Sequence, residues 1–162
     1  MGGCGADSVM TYDEWEASVP EVIRMDRIWR VQVFRLASFL AACAEADTRL
    51  LVDKPRALPI AVQLCRAAAS VPANIAEGYP RQSAKDRVRY YEYALGSTEE
   101  AKTWYLSIRE SIASDSLNER LALLRSITRL LLTMIRSARP PRHAVPQPLH
   151  PDPVVSKPPA IS

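Results

Sequence analysis

The stretch from Arg66 to Glu100 constrains the fold more than any other part of the chain. It reads RAAASVPANIAEGYPRQSAKDRVRYYEYALGSTEE: the end of one helix, a tight connection and most of a second helix. Proline lacks an N–H and its ring clashes with the preceding turn, so Pro72 predicts a kink or a restart after Val71. Asn74 to Glu77 carry the helix on. Gly78 stands where a left-handed residue commonly ends a helix, and Pro80 blocks continuation. Ser83 is suited to cap the next helix through its hydroxyl. One glycine, Gly96, lies inside that second helix. An interior glycine costs about 1 kcal/mol relative to alanine, which predicts a close backbone contact with a neighbouring helix.

Four segments have helical periodicity, the second and third of them overlapping this stretch. The first runs over about residues 25–46, with Asp26 near its start and Ile28, Val31, Val33, Phe34, Leu36, Phe39, Leu40 and Cys43 as its apolar positions. These cover more than one face, so the helix is buried on more than one side. Either copies of the chain associate through it, or residues from one of the chain's ends fold back over it. The second helix begins near Leu58, with Pro59 tolerated in its first turn and Ile60, Leu64, Ala68, Val71 and Ile75 as its inner stripe. The third runs from Ser83 to about Ser111 with a seam of Val88, Tyr91, Leu95, Thr98, Ala101, Tyr105, Ile108 and Ile112. Ser114-Asp115-Ser116 interrupts it, and Ser116 with Glu119 has the spacing of a capping box. The fourth helix carries Leu117, Leu121, Leu124, Thr128, Leu131 and Ile135 inward and turns Arg120, Arg125, Arg129 and Arg136 outward. Pro140-Pro141 end it.

Composition agrees with this pattern. Good helix formers dominate the middle of the chain, and no alternating stretch is long enough for a strand. The expectation is an all-α, antiparallel up-down four-helix bundle over residues 25–139. A flexible acidic arm precedes it over residues 1–24, and a disordered proline-rich tail follows over residues 140–162. Net charge is only +3, but it is unevenly spread, acidic at the front and basic after Glu119. Three cysteines without metal spacing fit a reducing cytoplasm better than a disulfide framework. The chain shows neither the pattern of a signal peptide nor an apolar run long enough to span a bilayer.

The run Ser70-Val71-Pro72-Ala73-Asn74-Ile75-Ala76-Glu77-Gly78-Tyr79, with Arg81 and Ser83, resembles the signature of the four helix bundle proteins, also called 23S rRNA intervening-sequence proteins. The likeness continues through Ala94, Gly96-Ser97 and Glu100 and covers roughly residues 28–138. Pro80 and the Tyr90-Tyr91 pair depart from the usual pattern. The resemblance implies an up-down bundle assembled as a ring-like homo-oligomer, a pentamer. It also implies kinship with the accessory proteins of diversity-generating retroelements, which bind RNA and a reverse transcriptase.

The residues themselves offer no catalytic machinery. His143 and His150 are the only histidines and both lie in the tail, so no buried Ser-His or Cys-His pair can form in the bundle. There is no Glu-x-x-His pair, phosphate loop or dinucleotide fingerprint. No enzyme activity, metal or cofactor is therefore expected. Asn74 and Glu77 are expected to satisfy backbone groups freed by Pro72 and the helix end. A nucleic-acid surface is the favoured functional reading. Arg81, Lys85, Arg87 and Arg89 alternate with Tyr79, Tyr90 and Tyr93, supplying cations for phosphates and rings for bases. Arg125, Arg129 and Arg136 form a second basic strip. The alternative is a protein-interaction scaffold with no nucleic-acid role.

Overall fold

The computed structural model describes residues 10–139, all helix and connection with no strand among them. The proline-rich tail and the first nine residues, including Cys4, lie outside the described residues. Two short helices, α1 (Tyr12–Ser18) and α2 (Glu21–Arg24), and a 3₁₀ turn (Arg27–Arg30) lead into α3 (Gln32–Arg49). Then follow α4 (Leu58–Gly78), α5 (Ala84–Ser107), a 3₁₀ turn (Arg109–Ser111) and α6 (Ser114–Ala138). Helices α3 to α6 pack as an up-down bundle, each on its neighbour in sequence, and α3 with α6 closes it.

The core follows the helical period. Val33, Ala37, Leu40 and Ala44 of α3 face Leu64, Ala68, Val71 and Ile75 of α4 and Leu124, Ile127 and Leu131 of α6 in one buried cluster. Small residues at Ala61, Ala67 and Ala68 leave room for close helix approach.

The second apolar face of α3 is covered from within the chain. Residues 1–24 were expected to be a flexible arm, yet α1 begins at a complete capping box in which the Thr11 hydroxyl accepts from the Glu14 N–H and the Glu14 carboxylate accepts from the Thr11 N–H. Trp15 is buried with Trp29, Phe39 and Cys43 in a second cluster that reaches Leu123 of α6. Trp15 lies 5.8 Å from Trp29 and 5.4 Å from Phe39 between ring centroids, and Tyr12 meets Phe39 edge-on at 5.4 Å. Aromatic pairs of this geometry add about 0.5–1.5 kcal/mol beyond their area. Bringing Trp29 into this cluster takes residues 27–31 as a 3₁₀ turn and an extended Val31, so α3 starts at Gln32 rather than near Met25.

Five local expectations are corrected. Helix α4 runs unbroken through Pro72, because buried Ala67, Ala68, Val71 and Ile75 hold both sides of the proline in the core and packing outweighs one lost hydrogen bond. Asn74 does not replace that bond: its amide donates to the Ser70 carbonyl at 2.8 Å, while Glu77 pairs with Arg81 at 3.0 Å. Gly78 is not left-handed, since no glycine with positive φ occurs among the described residues. It is needed for space, because a Cβ there would lie 2.8 Å from the Tyr90 Cβ and 3.1 Å from the Tyr91 ring. Gly96, expected to touch a neighbour, is exposed, and a Cβ there meets nothing within 4 Å among the described residues. Finally, α6 starts two residues before Ser116, capped by no side chain. Glu119 turns to Arg120 at 3.4 Å instead of forming a box with Ser116.

Candidate nucleic-acid interface

The α4–α5 corner is built by short-range polar contacts. The Ser83 hydroxyl accepts from the Asp86 N–H at 3.3 Å and starts α5. Arg87 reaches back and donates to the carbonyls of Arg81 and Gln82, at 2.8 and 3.1 Å. It satisfies carbonyls that the turn leaves free, and so braces the corner rather than projecting from it. Arg81 and Arg89 both stack on the Tyr90 ring, their guanidinium carbons 5.1 and 5.4 Å from its centroid. Glu77 holds Arg81, and Asp86 holds Arg89 at 3.5 Å. The Tyr93 ring meets Tyr90 edge-on at 6.0 Å. The result is one tyrosine with two oriented guanidinium groups. Lys85 is exposed beside it.

The second strip lies on α6. Arg125, Arg129 and Arg136 are exposed and follow one another by four and seven residues, so they share a stripe. Arg136 donates to the Leu132 carbonyl at 3.2 Å. Arg139 pairs with Glu92 at 2.9 Å and ties the end of α6 to the first half of α5. The α4–α5 corner and the end of α6 therefore sit at the same end of the bundle. The remaining motif positions stay off this surface: Ser97 is half-buried in α5, and the Glu100 carboxylate accepts from the Trp104 indole at 3.3 Å.

One arginine read as outward is a core residue. Arg120 is only 5 % exposed. Its Nε donates to Asp47 Oδ2 at 3.0 Å, and the Tyr105 hydroxyl donates to the same oxygen at 2.9 Å. Register carries the signal: Arg120 precedes Leu124, Ile127 and Leu131 by four, seven and eleven residues, the spacing of one inward stripe. Burial and the neighbouring Asp47 carboxylate hold the Tyr105 phenol above its usual range. Burial is the largest single influence on Arg120 and opposes its charge, but the hydrogen bond to Asp47 and the charge interactions with Cys43, Asp47 and Tyr105 together outweigh it and the guanidinium pKa is raised. A groove between α3 and α6 opens onto this network, whose charges already satisfy one another. No three His, Cys, Asp or Glu residues gather into a metal site among the described residues, and no helix there is long and apolar enough to cross a membrane.

Cys43 lies beside this network and gives a pH prediction. Burial pushes its thiol from 9.0 up to about 11. Below pH 9 the thiol is neutral in both folded and unfolded chains. Above it the unfolded chain binds fewer protons, so stability falls as pH rises towards 11, by up to roughly 2–3 kcal/mol. Urea unfolding at stepped pH is expected to show this fall, with a shallower slope over that interval in Cys43→Ala. An equal slope in the variant would assign the fall to other groups.

The comparisons with known proteins point the same way as the fold. No curated protein matches the chain. Among solved structures, the chain is similar to a protein of unknown function from the S23 ribosomal protein family of Bacteroides thetaiotaomicron. The two are 25 % identical with a TM-score of 0.60, over 64 % of this chain and 98 % of that one. Residues 40–133, from the middle of α3 to the last turns of α6, match the model of the 23S rRNA-intervening sequence proteins. That span is more than half of the sequence and holds the whole α4–α5 corner, and the chain belongs to the 23S rRNA-intervening sequence protein family.

Proposed function

We propose that this protein is a non-catalytic accessory protein of the cytoplasm that binds RNA or a nucleic-acid enzyme such as a reverse transcriptase through its basic helix surfaces, RNA being the partner the corner favours. The observation that carries the reading is the pair of guanidinium groups held over Tyr90 at the α4–α5 corner, with exposed Lys85 alongside. The arginines are oriented before any partner arrives, which lowers the entropic cost of binding. The family's name associates it with 23S rRNA intervening sequences. The resemblance also supports self-association into a pentameric ring, which would repeat the corner in every subunit and turn modest contacts into avid ones.

A protein-interaction scaffold is the second reading. It is favoured by exposed Leu50, Val52, Leu58 and Val62, which cluster around the α3–α4 connection at the opposite end of the bundle. Salt separates the two, because phosphate contacts weaken steeply with ionic strength and apolar docking does not. The combined substitution of Arg81, Lys85 and Arg89 by Ala is expected to weaken RNA binding, to lower the salt slope by about 2, and to leave the assembly mass unchanged. RNA affinity equal to wild type in this variant would remove the corner from the interface.

A further inference from the structure

The segment Glu21–Arg30 precedes the family-matched residues and brings three more arginines to the same end of the bundle. Helices α3 and α4 are antiparallel neighbours joined by residues 50–57 at the far end, so the start of α3 lies beside the end of α4. The 3₁₀ turn is pinned there. Trp29 is buried in the aromatic cluster, and its carbonyl accepts from Arg35 at 3.0 Å. Arg24, Arg27 and Arg30 are exposed, and none of them forms an ion pair among the described residues. At the far end, Arg49 and Arg109 are each paired with a nearby glutamate, while Lys54 and Arg56 of the α3–α4 connection are exposed and form no ion pair among the described residues.

An unpaired guanidinium group has no local partner to give up before it meets a phosphate, and the buried Trp29 fixes the backbone from which Arg27 and Arg30 project. Arg81 and Arg89 must first share theirs with Glu77 and Asp86. We infer that Arg24, Arg27 and Arg30 extend the α4–α5 corner into one phosphate-binding face, contacting the backbone of a folded RNA across the end of the bundle. This rests on the RNA reading above. It adds a contribution from residues outside the family-matched span and assigns the face to backbone rather than base recognition. The stacked guanidinium groups already occupy the environment of the Tyr90 ring, and shape-dependent backbone contact is how proteins hold duplex RNA.

The test uses the full chain, a labelled RNA hairpin and a salt series. The triple variant R24A/R27A/R30A is expected to lose about tenfold or more in affinity at low salt, with a log–log salt slope lower by about 2. Its melting temperature is expected to match wild type, because all three side chains are exposed. The conservative R24K/R27K/R30K is expected to retain most of the binding, since a phosphate contact needs the charge. If wild type binds the hairpin and the alanine variant binds equally well, this inference fails while the RNA reading stands. If wild type binds no RNA, both fail. Loss of binding in the lysine variant as severe as in the alanine variant overturns the phosphate assignment. Val22, Ile23 and Met25 are also exposed on this segment. Binding to phosphatidylserine vesicles without binding to the hairpin would make the face a membrane surface and overturn the inference.

Discussion

Arg120→Met is expected to destabilise the folded chain by about 3–5 kcal/mol, the cost of leaving a buried carboxylate without its partner. Asp47 of α3 is 6 % exposed and receives hydrogen bonds from Tyr105 of α5 and Arg120 of α6. Methionine fills much of the volume of the arginine stem but supplies no charge and no donor. Tyr105→Phe removes one donor and leaves the Arg120 pair in place, and is expected to cost about 1.5–3 kcal/mol, the range for a hydrogen bond to a charged group. Replacing all three together, as D47L/Y105F/R120M, is expected to recover most of the loss, because an apolar trio requires no charge to be desolvated. Urea midpoints of the single and combined variants measure this. If Arg120→Met unfolds within about 0.5 kcal/mol of wild type, a size usual for surface substitutions, the Asp47 contact is dispensable.

Gly78→Ala and Gly96→Ala are expected to act in opposite directions. At Gly78 the added methyl meets the Tyr90 Cβ at 2.8 Å. That atom is fixed to the backbone of α5, so relief requires α4 and α5 to separate. Overpacking of this kind costs about 1–3 kcal/mol. At Gly96 the methyl enters open space on an ordinary helical backbone, and the gain in helix propensity is worth about 0.5–1 kcal/mol. Thermal melting of the two variants under dilute conditions checks both signs. Destabilisation by Gly96→Ala would show that something beyond the described residues, a second copy included, packs against that position.

The helical class, the existence of four long helices and most inward positions were legible because they depend on local period. Leu64, Ala68, Val71 and Ile75, or Leu124 and Leu131, are buried where a 3.6-residue repeat places them. The starts of α4 and α5 were legible for a similar reason: Pro59 is acceptable only in a first turn, and Ser83 carries its own cap. The basic residues of the corner could be named, but not sorted into those that face outward and those, like Arg87, that brace the turn.

What the sequence determined by itself were those features whose cause lies within a turn or two of the chain: helix period, proline and serine boundaries, and the absence of strand patterning. Only the tertiary structure decided the rest. It carried α4 through Pro72, because burial on both sides exceeds the loss of one hydrogen bond. It required Gly78 for the approach of Tyr90 and left Gly96 open. It turned Arg120 inward to Asp47, 73 positions earlier, and laid Trp15 over the second face of α3. Each of these outcomes depends on a partner distant in sequence, and a local pattern contains no information about which distant side chain will be there to pair a charge or to cover an apolar face.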